Sequence, residues 1–334
     1  MRERIKGCVV GFLLLQGVGA LIDVPLALAA PPDRMVRVGM VTYGSAEGNS
    51  TMDEAVRAGL REHGYIEGKN VSFVKRFALR LTEPMDAYVK DLIAEKVDVI
   101  VTGCGWSTRV AIRTTKTMPI VMVSITNPVE HGYMKSLARP GANATGVSGM
   151  VDDLGPKMID HLRFALPDAK VVGVLRNERS AEHQAIYSRV EAIARALNLS
   201  VVPIEVRGLK SEQFAVDAFK KSGAQALLLL PDDGAFWPLL GHILSATDTL
   251  RLPLFSFRRE IVDMGGFLSY GADMYDQFRK TGAFIDKILN GASPGDIPVE
   301  LPTQLEFAVN LKKAAAWGIP MPRSVLMRAN TIVK

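Results

Sequence analysis

Cysteine is almost absent from this chain. Its 334 residues hold two, Cys8 and Cys104, too few for a disulfide framework or a multi-cysteine zinc or iron–sulfur cage. An excess of charge of one sign is also missing. The 40 Lys and Arg against 35 Asp and Glu leave a net +5, and no basic run stands out, so nucleic acid is not an expected partner. The five histidines, His63, His131, His161, His183 and His242, are scattered without metal-ligand spacing. Neither a Gly-x-Ser-x-Gly elbow nor a Walker loop occurs. What remains is an ordinary globular composition, 48% hydrophobic and 22% charged, which argues against disorder, collagen and coiled coil. The length fits two domains of roughly 150 residues each.

Long apolar runs are confined to the N-terminus. Arg2, Arg4 and Lys6 precede an apolar stretch at 7–22, and Ala27-Leu28-Ala29 then has the small-x-small spacing of a signal-peptidase site. The run is shorter than the ~20 residues a spanning helix needs. The expectation is a signal peptide over 1–29, cut after Ala29, and a periplasmic mature chain. Cleavage would remove Cys8 and leave Cys104 as a lone thiol in an oxidising compartment, with no internal disulfide.

Downstream, strand-like and helix-like segments alternate. Strands are expected at 35–41, 71–77, 97–101 and 120–124. A helix should open at the capping-box pattern Thr51-Met52-Asp53-Glu54, another at Thr82-Glu83-Pro84, and a short one capped by Ser107. The alternation restarts after Pro140-Gly141. Strands are expected at 171–175, 201–206, 226–230 and 253–256, with helices at 181–197, 211–222 and 236–246. Asp152-Asp153 reads as a helix start. A strand at 267–270, a helix at 274–289, a strand at 305–309 and a last helix end the chain. Alternation of this kind implies an α/β fold with parallel sheets and right-handed crossovers. Two runs in series give two doubly wound lobes. The tail returns to complete both, so the chain crosses between them several times, which is the build of a hinge. The expected division is 30–146 plus 271–300 for the N-terminal lobe and 147–270 plus 301–334 for the C-terminal lobe.

Ligands of open parallel sheets bind beyond the carboxyl ends of the strands, so the loops there hold the candidate residues. In the first lobe these are Tyr43, Gly44, Cys104, Gly105, Trp106, Ser107, Thr126 and Asn127. In the second they are Asn177, Asp232, Asp233, Phe257 and Tyr270. The run Gly103-Cys104-Gly105-Trp106-Ser107-Thr108 offers two glycines, two hydroxyls and an aromatic face at a helix start, where backbone N–H groups favour an anion such as a carboxylate. Asp232 or Asp233 would receive an ammonium group. Tyr43, Trp106 and Tyr270 would cover an apolar part. A dinucleotide fingerprint is excluded, because Thr108 stands where its third glycine belongs, and no cofactor is expected.

Several segments together resemble the ABC transporter substrate-binding protein family of tryptophan/tyrosine type. They are Glu62-His63-Gly64-Tyr65-Ile66-Glu67-Gly68-Lys69-Asn70-Val71, Asn127-Pro128-Val129, Ser136-Leu137-Ala138-Arg139-Pro140-Gly141-Ala142-Asn143-Ala144-Thr145-Gly146, Gly265-Gly266-Phe267-Leu268-Ser269-Tyr270-Gly271, the stretch 285–292, and Leu301-Pro302-Thr303-Gln304-Leu305-Glu306-Phe307 with its continuation to Lys312. The resemblance covers essentially the whole chain after the signal. It implies the type I periplasmic-binding-protein fold and a non-enzymatic receptor that captures a small ligand and docks on ABC permease subunits. Relatives commonly carry Gly-Thr-x-Ala where this chain has Gly103-Cys104-Gly105-Trp106, so its ligand need not be theirs. A monomer is expected, since a closing clamp must move freely. Two alternatives stay open on the residues alone: a sensor module feeding a chemoreceptor, and a secreted thiol enzyme using Cys104.

Overall fold

Strand β1 (Val36–Tyr43) is buried along all but one of its residues, as the centre of a sheet covered on both faces requires. It lies between β2 (Val71–Ala78) and β3 (Val99–Thr102). With β4 (Ile120–Thr126) and β5 (Ala144–Gly149) these form a sheet of order β2-β1-β3-β4-β5, parallel throughout. Helices α1 (Ser50–Glu62), α2 (Met85–Ala94) and α3 (Gly105–Thr114) make the crossovers. The computed structural model describes residues 34–46, 48–79, 84–149, 154–231 and 236–334. The expected signal peptide, the helix start at Thr82-Glu83 and the Asp152-Asp153 pair therefore lie outside the described residues.

The second sheet repeats the plan. After α4 (Leu154–Ala165) come β6 (Val171–Arg176), α5 (Ala181–Ala196), β7 (Ser200–Glu205), α6 (Glu212–Ser222), β8 (Ala226–Leu229), α7 (Leu240–Leu250), β9 (Leu254–Ser256), α8 (Arg259–Asp263) and β10 (Leu268–Ala272). Their order β7-β6-β8-β9-β10 is that of the first sheet. One correction applies to the parallel expectation: β11 (Leu305–Asn310) joins β10 antiparallel, and β12 (Thr331–Val333) then joins β11. The chain reaches β11 by returning from the other lobe and so enters the sheet from the opposite end.

The excursion into the first lobe that precedes this return is made by α9 (Met274–Leu289). Asp273 caps it, its Oδ1 accepting from the Asp276 N–H at 3.1 Å. The helix packs on α1 of the first lobe, and residues beyond it hydrogen-bond that lobe too: Val299 donates to the Leu137 carbonyl at 2.8 Å and Glu300 to that of Gly146 at 2.9 Å. After β11, α10 (Leu311–Trp317) and α11 (Arg323–Leu326) lie on the second lobe. The chain thus passes between the two sheets three times. Each lobe has an apolar core on both faces of its sheet.

Three local readings change. α1 starts at Ser50, and its cap position is Asn49, whose side-chain amide donates to the carbonyls of Tyr43 at 3.1 Å and Ser45 at 2.8 Å. Thr51 is inside the helix, and Glu54, its partner in the expected box, pairs with Arg61 at 2.6 Å rather than capping. The helix expected at 236–246 opens as a 3-10 turn at 237–239, where Pro238 sits, and becomes α-helical at Leu240. The cap of α3 is Cys104, not Ser107.

Candidate functional site

Both sheets aim their strand carboxyl ends at one cleft of about 320 Å³, within the ~300–1,000 Å³ typical of small-molecule sites. The first lobe lines it with Thr42 to Ser45 at the end of β1, Gly48, Asn49 and Met52 at the start of α1, Leu79, and Gly103-Cys104 at the end of β3. In the order β2-β1-β3, β1 and β3 flank the point where the strand order reverses, the place an open α/β sheet leaves a crevice. The second lobe contributes Trp237, Pro238, Arg258, Glu260 and Met264.

The first wall spends its polar groups on itself. The Tyr43 hydroxyl donates to the Leu79 carbonyl at 3.0 Å, and the ring leans on Trp106 with centroids 6.2 Å apart. Ser45 Oγ accepts from the Gly48 N–H at 3.1 Å. Gly44 has φ +102°, and a Cβ there would stand 2.9 Å from the Asn49 amide nitrogen, so only glycine lets the chain turn into α1 at this point. Cys104 Sγ accepts from the Ser107 N–H at 3.5 Å, while Ser107 Oγ accepts from the Cys104 N–H at 3.2 Å. This reciprocal arrangement is a capping box with sulfur in the usual oxygen's place. Ser107 and Thr108 are fully buried. Both hydroxyls donate to the Cys104 carbonyl, at 3.0 and 2.9 Å.

The second wall is different in kind. Trp237 packs against the cores of both lobes and is the apolar bridge across the cleft. The Arg258 guanidinium lies 5.7 Å from the centre of the Trp237 ring, within cation–π range. Arg258 Nη1 and Glu260 Oε2 are shut off from solvent and have no hydrogen-bond partner. A further contact between lobes lies beside the cleft, where Arg109 Nη1 of α3 stands 3.6 Å from Glu182 Oε2 of α5.

Of the residues singled out in the sequence, Tyr43, Gly44 and Cys104 are on the cleft wall. Gly105 is buried in the first turn of α3, and Trp106 is half-buried against the first-lobe core. Thr126 ends β4. Asn127 has φ +45° and donates to Glu130 Oε2 at 3.1 Å. Asn177 is buried, its N–H donating to His183 Nδ1 at 2.8 Å; His183 Nε2 in turn meets the Pro231 carbonyl at 2.6 Å, so one imidazole ties the loops after β6 and β8 together. Phe257 and Tyr270 pack into the second-lobe core, Tyr270 with its ring 4.4 Å from His161. Asp232 and Asp233 lie outside the described residues. The wall residues not singled out include Asn49, Met52, Leu79, Trp237, Arg258, Glu260 and Met264. The rule of reading loops after strands reaches Phe257-Arg258 and stops two residues short of Glu260, which sits in the first turn of α8.

Two like lobes over one shared cleft, joined by three passes of the chain, define a two-lobed solute-binding protein of the periplasmic-binding-protein class. The family model for the ABC transporter substrate binding protein matches residues 37–333, and the chain belongs to that family. It is 25% identical over 251 residues to a tyrosine-binding protein of Clostridioides difficile (strain R20291), a match covering 75% of this chain and 72% of the relative. It is similar in fold to an ABC domain from Streptococcus pneumonia in complex with L-Trp, with a TM-score of 0.80, 23% identity and coverage of 90% of this chain and 100% of the other. It also resembles the ligand-free, open structure of a substrate-binding protein with adhesive properties from Clostridium difficile, with a TM-score of 0.66, 21% identity and coverage of 90% and 99%. Membership places the chain's role in ABC import, outside the cytoplasm, with a small-molecule ligand and permease partners. Among the described residues no helix is long and apolar enough to cross a membrane.

Proposed function

We propose that this protein is the periplasmic receptor of an ABC importer for a carboxylate-bearing aromatic or amino-acid-like solute. The observation that carries the reading is the cleft itself, which both lobes line and which lies at the strand-order reversal of the first sheet. Support for the ligand class comes from the tyrosine-binding relative and from the L-Trp complex of a protein of like fold. In this reading the export signal is removed after Ala29, and the mature chain works as a monomer without cofactor and without chemistry of its own. The moving bodies are the first sheet with α9 and the second sheet with its helices. The connections at 272–274 and 300–305 belong to the hinge. A ligand that touches both walls binds the closed form more tightly and shifts the equilibrium toward it by that difference alone. The closed form then docks on the permease.

The test is a thermal-shift screen of the mature protein against amino acids, aromatic acids, dicarboxylates and nucleosides. A ligand at 100 times its Kd stabilises the folded state by about 2.7 kcal/mol. A shift with aromatic carboxylates, together with a fall in the radius of gyration measured by solution scattering, is the expected result. A shift confined to nucleosides or sugars overturns the ligand class.

A further inference from the structure

The second wall carries two charged side chains, Arg258 and Glu260, that form no ion pair among the described residues. Arg258 and Glu260 stand two residues apart, at the cap and in the first turn of α8, and both line the cleft. Arg258 Nη1 and Glu260 Oε2 are withdrawn from water and make no hydrogen bond. Among the described residues neither side chain takes part in an ion pair, so they do not neutralise each other. Both side chains are half-buried, and leaving the one atom of each that water does not reach without a hydrogen-bond partner is unfavourable. A fold keeps two such groups at one cleft only where something else completes them.

The chemistry that completes both is a zwitterion. A guanidinium takes a carboxylate through two parallel N–H donors, and a carboxylate takes an ammonium. The remaining surroundings fit an apolar or aromatic side chain: the Trp237 indole beside the guanidinium, and Met52, Leu79 and Met264 around the opening. Methionine adapts its shape to such groups and makes favourable sulfur–aromatic contacts. The opposite wall offers no unspent side-chain charge of either sign among its described lining residues.

We propose that Arg258 and Glu260 are the charge-reading pair of the cleft, Arg258 holding the carboxylate and Glu260 the ammonium of an α-amino acid with an apolar or aromatic side chain. The assignment rests on the receptor reading above and sharpens it. It puts both ligand charges on the second lobe, leaving the first lobe to close over the ligand's body.

Calorimetric titration of the mature protein with L-tyrosine, its deaminated analogue 3-(4-hydroxyphenyl)propionate and its decarboxylated analogue tyramine tests it. Wild type should prefer L-tyrosine to either analogue by at least about 10-fold, the worth of one charge-assisted hydrogen bond. Glu260→Gln should lower L-tyrosine affinity about 10- to 100-fold and erase the preference over the deaminated acid. Arg258→Met should erase the preference over tyramine. Glu260→Gln removes no hydrogen bond or ion pair of Glu260 seen among the described residues, so its ligand-free melting temperature should stay or rise, whereas Arg258→Met also gives up the cation–π contact with Trp237. A Glu260→Gln protein that keeps the wild-type ratio of tyrosine to deaminated acid, or that melts lower without ligand, overturns the assignment while leaving the receptor reading standing. Wild-type protein that binds none of the three probes overturns both.

Discussion

Gly59 of α1 and Gly282 of α9 lie against each other where the two helices cross. A Cβ on Gly282 would stand 2.2 Å from the Gly59 carbonyl carbon, and a Cβ on Gly59 would stand 1.8 Å from the Arg279 carbonyl oxygen. The helices therefore touch backbone to backbone. The contact matters because α9 is the element by which the chain, having built most of the second lobe, comes back to the first. Around it, Tyr65 donates to Asp286 Oδ1 at 3.1 Å and Arg279 donates to both Glu62 oxygens at 2.9 Å.

Gly59→Ala and Gly282→Ala should each force α1 and α9 apart. Overpacking of a close-fitting core costs about 1–3 kcal/mol, read as a fall of several degrees in the melting temperature. Gly241 in α7 is the control. Nothing lies within 4 Å of a Cβ placed there, so Gly241→Ala should be neutral or stabilise by about 0.4–1 kcal/mol. Equal melting temperatures for Gly59→Ala and Gly241→Ala would show that the crossing yields freely.

How much of this was legible in the sequence follows from which forces set each element. α9 runs 274–289 as its amphipathic pattern predicts, because an Asp cap and an apolar stripe are local signals. β5 was not legible as a strand. Its Ala-Thr-Gly-Val-Ser-Gly has no apolar run, and it pairs with β4 so closely that a Cβ on Gly146 would stand 2.1 Å from the Met122 carbonyl oxygen. α4 runs from Leu154 despite its Gly-Pro, because proline is tolerated in a first helical turn, and the Asp152-Asp153 pair read as a helix start lies just before it, outside the described residues. The antiparallel β11 depends on a long-range return that periodicity does not record. At the site, the strand-end rule finds the loops of β1 and β3. It does not find Trp237 or Glu260, which reach the cleft from helical turns further along the chain.

Cys104 caps α3 and is 8% exposed. Serine is a stronger N-cap than cysteine's weak sulfur acceptor. Cys104→Ser should hold or raise the melting temperature, and Cys104→Ala should lower it, costing about 0.5–1 kcal/mol of stability through loss of the cap. If the protein is a receptor, the serine variant also keeps its ligand-induced thermal shift. Loss of a measurable turnover in Cys104→Ser, with folding intact, would instead revive the thiol-enzyme reading.

His161 lies 4.3 Å from the Phe307 ring and 4.4 Å from that of Tyr270. Burial holds its pKa below the ordinary 6.5, and the nearby positive charge of Arg328 adds to the effect. The unfolded chain therefore takes up this proton first as pH falls. The contribution to stability is fully present above pH 6.5 and is lost as pH falls from there through the lower folded value. Replacing the imidazole by an uncharged ring removes that dependence. The melting temperature of wild type should drop more steeply than that of His161→Phe over this acid range. Parallel curves would mean that the folded site accepts the charged imidazole without penalty.

Arg109 and Glu182 stand on opposite sides of the cleft, α3 in the first lobe and α5 in the second, 3.6 Å apart with side chains 25% and 17% exposed. A pair placed this way exists only when the lobes are together, so its free energy counts toward closure and toward ligand affinity alike. Exposed pairs contribute about 0.2–1 kcal/mol, and this one is partly sheltered. Arg109→Ala should raise the ligand Kd about 2- to 5-fold, mainly through faster release, and Glu182→Ala should do the same. The double variant should lose little more than either single one, since the second change removes a group already without its partner. The wild-type advantage should shrink as salt is added. Additive losses in the double variant, or an advantage indifferent to salt, would mean that the two side chains act separately and that closure is held by Trp237 and the ligand alone.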